Sequence, residues 1–409
     1  FHPDAIVGKA RRFGLALDDL LGAEAEGSEE TYYFLGRYYT EAQATADFLA
    51  IAARVEADVA SAPFPTTYDS FTPAAQVLDR LSVYDWIASR VPGGHDSPLG
   101  RLLNIAYTIE YAADTREQSS LNLLYLLGFQ PEPKGFSKFG ESDERFHIRG
   151  GNDQLPRAIA RHLGIDSTVR LGWRLAALRR NAGGSYRLTF ECDAATREIT
   201  ADIVVLALPF AVYSQLDYAR AGFDALKLRA INEQGRGRAA KLQLQFRERF
   251  WNRRGSWPGI STGGGDSDTG YQESWETSRG QPGASGILTF FSAGGVVDNV
   301  FSRQAFATAA NPLAAADAAS ALQQAAPVFS PAPNQWNGKA TQSLWHLNPL
   351  AGLAYSYYKP GQYTSFAGYE KSRQGDVFFC GEHTSIDFQG FMEGGAAEGQ
   401  RAAREVLTA

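Results

Sequence analysis

The sequence predicts a mixed α/β fold in which two domains are interleaved along the chain. Two apolar runs, at 201–209 and 376–380, are typical of strands buried on both faces of a parallel sheet. A third run, at 241–246, alternates polar and apolar residues, which is typical of a strand with one open face. Helical periodicity dominates roughly the first 130 residues. Two kinds of strand and a helical block predict a chain that builds two domains.

Composition and charge set limits on the function. The chain has 409 residues, 44% of them hydrophobic, and a formal net charge of −6, which is enough for the cores of two domains. The mild acidity argues against nucleic acid as a partner. No apolar run approaches the roughly 18 residues that a membrane-spanning helix needs, so we expect no transmembrane segment. The two cysteines, Cys192 and Cys380, make neither a disulfide framework nor a zinc site, and we expect no metal.

The first 140 residues are predicted to be a helical region. Amphipathic and alanine-rich patterns, separated by proline and glycine turns, predict helices at 4–22, 41–60, 73–90, 98–113 and 121–127. His95 in this region and His147 just after it have no second ligand at metal spacing, so we interpret both as packing or surface residues.

The segment 141–210 returns to strands. A short strand near 145 is followed by a glycine pair and a helix, and two alternating runs, 169–178 and 186–192, predict strands across a glycine turn. The segment 211–345 is predicted to form the second domain around the alternating strand, with hairpin loops and a helix bounded by prolines at 311–333. The segment 346–409 then returns to the first domain.

The last segment carries the pattern most typical of a ligand site. Its apolar run stops at Gly381, a polar loop follows, and a helix begins near Met392 with Gly394 and Gly395 in its first turn. Glycines there let the backbone approach a ligand closely, and the N–H groups of a helix N-terminus favour an anion or an electron-rich oxygen. The pattern predicts a strand, a loop and a helix directed at a ligand.

This segment resembles the C-terminal signature of the flavin-containing amine oxidase family, which includes monoamine, polyamine and L-amino acid oxidases. In that family a strand ending in Gly-Glu is followed by Gly-aromatic-Met-Glu-Gly and by a helix ending in Arg-Ala-Ala. The matching residues are Gly381-Glu382, Gly390-Phe391-Met392-Glu393-Gly394 and Arg401-Ala402-Ala403. The resemblance implies a Rossmann-like FAD-binding domain, made of 141–210 and 346–409, interleaved with a substrate domain of mixed sheet and helices, made of 1–140 and 211–345.

One part of the family pattern is missing from the front of this sequence. The family has a strand followed by Gly-x-Gly-x-x-Gly, which binds the dinucleotide pyrophosphate; no such motif is found there, and the only methionine is Met392. We therefore expect that the first βαβ unit is either a separate N-terminal chain, cleaved by proteolytic processing and retained, or lost. The sequence does not decide the cellular compartment, and it does not decide whether the protein is a homodimer.

The resemblance implies residues that bind FAD. They are Leu175 through its backbone, Gly381, Glu382, Gly390, Phe391, Met392 and Glu393. Glu382 is expected near the ribityl chain or the pyrophosphate, and Met392 is expected to offer its backbone N–H to the flavin pyrimidine oxygen. Glu393 either caps its own helix or binds the cofactor. Family members that attach flavin covalently use a cysteine at the position of Ala354, so the FAD is expected to be non-covalent.

The resemblance also implies catalytic residues. They are Lys241, Tyr355, Phe391 and Trp345. Lys241 matches the lysine that holds a water against flavin N5, and the alternative is a lysine that merely extends its amine to solvent. Tyr355 and Phe391 match the two aromatic walls that confine the substrate nitrogen, and Trp345 is expected to line the same cavity.

These residues predict an FAD-dependent oxidase that acts on a small-molecule amine and O2. The products are H2O2 and an imine, which hydrolyses to an aldehyde and ammonia. The first alternative is an L-amino acid oxidase that forms a 2-oxo acid, and the second is a non-catalytic interaction module with a flavin fold.

Overall fold

The structure, a computed structural model, describes residues 4–193, 195–254, 257, 259–300, 302–307 and 315–409. The described residues form the following α-helices, α1 to α13 in chain order: Asp4–Arg12, Glu41–Leu49, Ala52–Ser61, Pro73–Arg80, Val83–Arg90, Pro98–Tyr111, Ser120–Leu127, Gln154–Leu163, Ala225–Glu233, Ala315–Ala325, Ala332–Gln335, Tyr363–Phe366 and Met392–Leu407. They also form the following strands, β1 to β20: Leu17–Asp19, Ser28–Glu29, Tyr32–Phe34, Arg37–Tyr39, Phe146–Ile148, Trp173–Arg180, Tyr186–Cys192, Ala195–Ala201, Val204–Leu206, Asp217–Arg220, Gly235–Arg236, Ala239–Phe246, Ile260–Ser261, Gly265–Asp266, Glu273–Glu276, Gly286–Ala293, Phe306–Ala307, Trp336–Ser343, Ser356–Tyr357 and Val377–Phe379. The mixed α/β fold class predicted from the sequence is confirmed.

The chain divides into two compact units, and each is built from separate stretches of sequence. The first unit comprises Phe1–Asp18, Phe146–Gln234 and Ser365–Ala409, and the second comprises Asp19–Arg145 and Gly235–Thr364. The domain boundaries predicted from the sequence fall after residues 140, 210 and 345. The contact-defined boundaries fall after residues 145, 234 and 364, and the first eighteen residues belong to the first unit.

The first unit contains a pair of parallel strands and a four-stranded sheet. β20 pairs with β9 in parallel, with Val377 opposite Val204 and Phe379 opposite Leu206. All three residues of β20 are fully buried, as the apolar run at 376–380 predicts. The four-stranded sheet has the order β10-β6-β7-β8. α1 packs against α13, the helix that follows β20 and the polar loop.

The second unit is built on a six-stranded sheet with the order β14-β15-β16-β12-β18-β17. Each neighbouring pair is antiparallel. One face of β12 presents Leu242, Leu244 and Phe246 to a hydrophobic core that also contains residues of α10. The opposite face presents Lys241 and Gln243, which are half-buried. The alternation at 241–246 therefore predicts the strand and its two faces correctly.

Several helix boundaries differ from the prediction. The helices α6 and α7 are confirmed, but the predicted helix 41–60 is interrupted at Ala50 and Ile51. The predicted helix 73–90 is two helices, because Ser82 adopts an extended backbone and its side chain caps the start of α5. The predicted helix 4–22 ends at Arg12, since Gly14 takes a positive φ of 66°.

Residues 311–314 of the predicted helix 311–333 lie outside the described part of the chain. In the rest of that range, α10 ends at Ala325 and the short helix α11 begins at Ala332, so the predicted single helix is interrupted by a turn. Among the described residues, no helix has both the length and the apolar character that crossing a bilayer requires.

A fully buried lysine lies beneath β20 in the first unit. Lys227, in α9, is 0% exposed. Its Nζ donates to the carbonyl oxygens of Tyr369 at 3.1 Å and Glu370 at 2.5 Å, and lies 3.9 Å from the centre of the Phe379 ring. Burial lowers the pKa of Lys227 from 10.5 to about 7, against the opposing fields of the nearby carboxylates.

This lysine predicts a pH-dependent stability. Between pH 7 and 10.5 the unfolded chain binds a proton at Lys227 that the folded chain does not, so the free energy of unfolding should rise with pH across that window. Replacing Lys227→Met should flatten the rise, measured by urea unfolding at a series of pH values. The exposed Lys359→Met variant is the control, and equal slopes in wild type and Lys227→Met would contradict the assignment.

Candidate active site

The C-terminal loop of the first unit depends on one glycine. Gly381 ends the β20 segment with φ +140°. A Cβ at this position would lie 2.6 Å from Cε1 of His383, which is buried and cannot move away. Glycine is therefore required at the turn by both the backbone conformation and the space.

Glu382 closes the loop that follows. Its Oε2 accepts a hydrogen bond of 2.8 Å from the backbone N–H of Gly390, eight residues later. Gly390 itself takes a positive φ of 87°. The bond fixes the start of α13 relative to β20, so Glu382 has a structural role in addition to the predicted cofactor contact.

The N-terminus of α13 has two glycines with different surroundings. Phe391 is the N-cap residue and provides no side-chain cap. A Cβ on Gly394 would lie 2.1 Å from the carbonyl oxygen of Phe388, so this glycine is required for packing. A Cβ on Gly395 would meet only the backbone nitrogen of Glu382, at 4.0 Å, among described atoms outside its own helix turn. The space beside Gly395 is therefore open.

Glu393 caps α1 instead of its own helix. Its two carboxylate oxygens each accept a 2.8 Å hydrogen bond, from the backbone N–H groups of Ala5 and Ile6. These donors belong to the first turn of α1, where a carboxylate is favoured by the unpaired N–H groups. The predicted cap on α13 is thus not the one observed, because the packing of α1 on α13 offers Glu393 another helix terminus.

Met392 and Leu175 lie at different places in the first unit. Met392 is 55% exposed and lines a small apolar cavity of about 40 Å³ together with residues of α1, β1 and β5. Leu175 is half-buried in β6, at an irregularity in its pairing with β7. It therefore belongs to the four-stranded sheet, whereas Gly381 and Glu382 follow the β20–β9 pair.

In the second unit, Lys241 is desolvated without a partner. Its Nζ lies 5.0 Å from the centre of the Phe291 ring and 5.2 Å from that of Trp275. Within the described part of the chain, the amine makes no hydrogen bond or ion pair. Burial lowers the pKa of Lys241, and the fields of Glu144 and Glu273 only partly oppose this.

Tyr355 joins the same group of aromatic side chains. It packs, with Trp275, against a cluster that contains Phe291 and residues of α6. Its position is fixed by the backbone, since its carbonyl accepts a 2.8 Å bond from the N–H of Gly237, and the N–H of Ala354 donates to the carbonyl of Gly237. The structure therefore brings Lys241 and Tyr355 to one aromatic cluster.

Trp345 lies at the edge of this face. It is 46% exposed and stacks edge-on with Phe306 at 5.0 Å between ring centres. Phe306 is opposite Ser343, which is in turn opposite Lys241. Directly opposed residues project to the same face of a sheet, so Phe306 lies on the face of Lys241, two strands away. Trp345 packs against Phe306 at the edge of that face.

Several carboxyl groups lie in the same part of the second unit as Lys241, and burial raises the pKa of Glu110, Asp266 and Glu273 above their ordinary values. Burial and the charges of Glu144 and Glu273 raise the pKa of Glu110, on α6, well above its ordinary value. Glu273 and Asp266 share one ammonium, that of Lys138.

Comparison with known proteins identifies the family. The family model for flavin-containing amine oxidoreductases matches residues 17–407, and the chain belongs to this family. The resemblance drawn from the C-terminal signature is thereby confirmed, and the family is one of flavin-dependent oxidoreductases.

Three similar proteins illustrate the relationship. A Bacillus subtilis protein, YobN, whose name suggests an L-amino-acid oxidase, is 24% identical over 269 residues. That match covers 64% of this chain and 52% of the relative, so the match spans about half the relative's length. The structure of a cyclohexylamine oxidase from Brevibacterium oxydans has a TM-score of 0.79 at 18% identity, covering 99% of this chain and 85% of that one. A putrescine oxidase variant has a TM-score of 0.79 at 17% identity, covering 100% and 86%.

The first unit fits one end of a flavin. The first turn of α13 has no side-chain cap, and the space beside Gly395 would be filled by a Cβ but by no described neighbouring side chain. Backbone N–H groups at such a terminus suit an electron-rich oxygen. Glu382 and the N–H of Met392 lie on the two elements that border this space. These residues would hold the flavin.

Sequence reasoning missed several residues of the site. Trp275, Phe291 and Glu273 lie on β15 and β16, whose alternating patterns indicate strands but not their partners. Lys138 lies between α7 and β5, outside any regular element, and its sequence neighbours carry no motif. Pairing of distant strands, which the sequence does not reveal, brings them together.

The two glycines of α13 give a test of the cofactor site. Gly394→Ala should lower the melting temperature of the flavin-free protein, because the new Cβ would overlap the Phe388 carbonyl. Gly395→Ala should leave that temperature unchanged or higher, since alanine favours a helix by about 1 kcal/mol, but should reduce the amount of flavin bound. Thermal unfolding and flavin absorbance measure the two effects. Normal flavin binding by Gly395→Ala would contradict the assignment.

Proposed function

We propose that this chain, with FAD bound non-covalently, oxidises the C–N bond of a small amine and reduces O2 to H2O2. The imine product hydrolyses to an aldehyde and ammonia. The observation that carries the proposal is the amine of Lys241, which faces two aromatic rings and has no hydrogen-bond or ion-pair partner among the described residues. Membership of the flavin-containing amine oxidoreductase family supports it.

In this proposal, the residues of the second unit have different chemical roles. Trp275 and Phe291 surround the Lys241 amine with ring faces that exclude water. An amine with a lowered pKa gives up its proton more readily and can hold a water molecule, which suits the protons that O2 takes up on becoming H2O2. We assign Lys241 Nζ to this step. Tyr355 provides an aromatic surface against which a substrate nitrogen can lie.

The cofactor and the first unit supply the remaining parts. When bound, a flavin would supply a two-electron acceptor for the hydride equivalent of the substrate and a two-electron donor for O2. Glu382, the N–H of Met392 and the space beside Gly395 are proposed to hold it, and Phe391 is proposed to form the second aromatic wall. Ala354 stands where covalent attachment would need a cysteine, which supports non-covalent binding.

The charge near Lys241 favours amines over amino acids. An amino acid brings a carboxylate, which would be repelled by Glu144 and by the part of the Glu273 charge that Lys138 does not offset. The alternative, an L-amino acid oxidase, is favoured by the similarity to YobN. The second alternative, a non-catalytic interaction module, requires that no flavin be retained.

A substrate panel tests the proposal. The purified protein should show flavin absorbance, release its flavin on acid precipitation, and form peroxide faster with alkyl and aryl amines than with the corresponding L-amino acids. A peroxide-coupled assay with matched amine and amino acid pairs measures the preference. Faster oxidation of the amino acids would select the first alternative, and colourless protein that binds no added FAD would select the second.

The role of Lys241 predicts separate effects on the two half-reactions. Lys241→Met should slow the re-oxidation of reduced flavin by O2 by about 10²-fold and change flavin reduction by substrate far less. Stopped-flow absorbance under anaerobic and aerobic conditions measures each step. Lys339→Met, at an exposed position of β18 in the same sheet, is the control. Equal slowing of both half-reactions would remove the assignment.

A further inference from the structure

A row of paired residues crosses the six-stranded sheet at Lys241. Asp266 on β14 is opposite Glu273 on β15, which is opposite Phe291 on β16, which is opposite Lys241 on β12. Directly opposed residues of antiparallel strands project to the same face. Glu273 and Lys241 therefore lie on one face of the sheet. They are two strands apart, which is a backbone separation of about 10 Å across the sheet, and Phe291 is the residue between them.

Lys138 occupies the acidic end of this row. Its Nζ lies 2.6 Å from Oδ2 of Asp266, 2.9 Å from Oε1 of Glu273 and 3.2 Å from Oε2 of Glu30. Its side chain is 7% exposed, and the Asp266 side chain is fully buried. A buried ammonium with three carboxylates is held firmly, because removing it would leave uncompensated charge in the interior. The three carboxylates raise the pKa of Lys138 well above its ordinary value, against the effect of burial.

Lys241 lies at the other end of the row, and no carboxylate of the described residues forms an ion pair with it. Two carboxylates, Glu144 and Glu273, exert fields that favour its protonated form. Lys138 Nζ donates a 2.9 Å hydrogen bond to Oε1 of Glu273, and a cation this close offsets part of the field of Glu273 at Lys241. Burial then dominates at Lys241, and its amine is left facing aromatic rings.

We propose that Lys138 is a positioning residue for Lys241: by holding Glu273 and Asp266 in a buried ion cluster, it keeps the Lys241 amine unpaired and able to lose its proton. The inference rests on the proposed function of Lys241. Lys138 does not contact the Lys241 side chain and acts on it only through the charge at Glu273.

Two substitutions at the acidic end of the row change the charge there in opposite directions. Lys138→Met removes the cation that offsets the carboxylates, so Lys241 should keep its proton to a higher pH. Glu273→Gln removes one of the negative charges, so Lys241 should lose its proton at a lower pH. In the double variant, the added Glu273→Gln should move the midpoint back towards wild type.

Titration of Lys241 in the flavin-free protein measures these shifts without catalysis. Lysine labelled with ¹³C at the ε-carbon gives a signal for each lysine, and Lys241→Met identifies the one required. Glu276→Gln is the control, because Glu276 is also on β15 in a buried ion pair, with Arg249, but projects to the opposite face. It should leave the Lys241 midpoint unchanged.

The outcomes separate this inference from the proposed function. An upward shift of the Lys241 titration midpoint in Lys138→Met and a downward shift in Glu273→Gln, with no shift in Glu276→Gln, would support the positioning role. The pH profile of flavin re-oxidation should shift in the same directions. An unchanged Lys241 midpoint in Glu273→Gln would overturn it, including in the case where Lys138→Met does not fold. Absence of peroxide with every substrate would count against the proposed function alone, since the titration does not depend on turnover.

Discussion

A buried amine must find a partner or lose its proton, and this constraint organises the interior of the molecule. The chain meets it in three ways. Lys227 donates to backbone carbonyls beneath β20, and Lys138 is held by three carboxylates. Lys241 faces two aromatic rings, and no polar partner for it lies within the described ranges. The first two arrangements bind parts of the fold together. The third leaves a reactive group available, which is the arrangement expected of a functional residue.

The same distinction separates structural from functional glycines at the C-terminus. Gly381 and Gly394 have neighbours that leave no room for a side chain, so packing alone explains them. Gly395 has room and no structural need to be glycine. We propose that a ligand accounts for glycine at this position, since the uncapped start of α13 offers unpaired N–H groups.

Local sequence patterns predicted the fold where local interactions decide it. Four consecutive apolar residues identified β20, and strict alternation identified β12 and its polar face. The break between α2 and α3 was not predicted, because Ala50 and Ile51 carry no helix-stop signal. Glu393 was expected to bind the cofactor or cap the nearest helix terminus, but the helix it caps is nearly 390 residues away in sequence. Tertiary packing decides such contacts, and a local pattern does not contain it.

The candidate site shows the same limit. Lys241, Tyr355 and Glu382 were found through residues that resemble a family signature, and their roles stay predictions. Lys138 and Glu273 were missed, since their importance comes from strand register and from the path of an irregular segment. Charge networks of this kind are visible only after the chain has folded.

The most direct test of this account is the order in which the buried lysines titrate in the wild-type protein. Resolved ¹³C signals of the lysine ε-carbons should show Lys241 and Lys227 losing their protons below the ordinary value of 10.5, and Lys138 keeping its proton well above it. Titration of Lys241 at or above 10.5 would contradict the account, because the amine would then be solvated or paired.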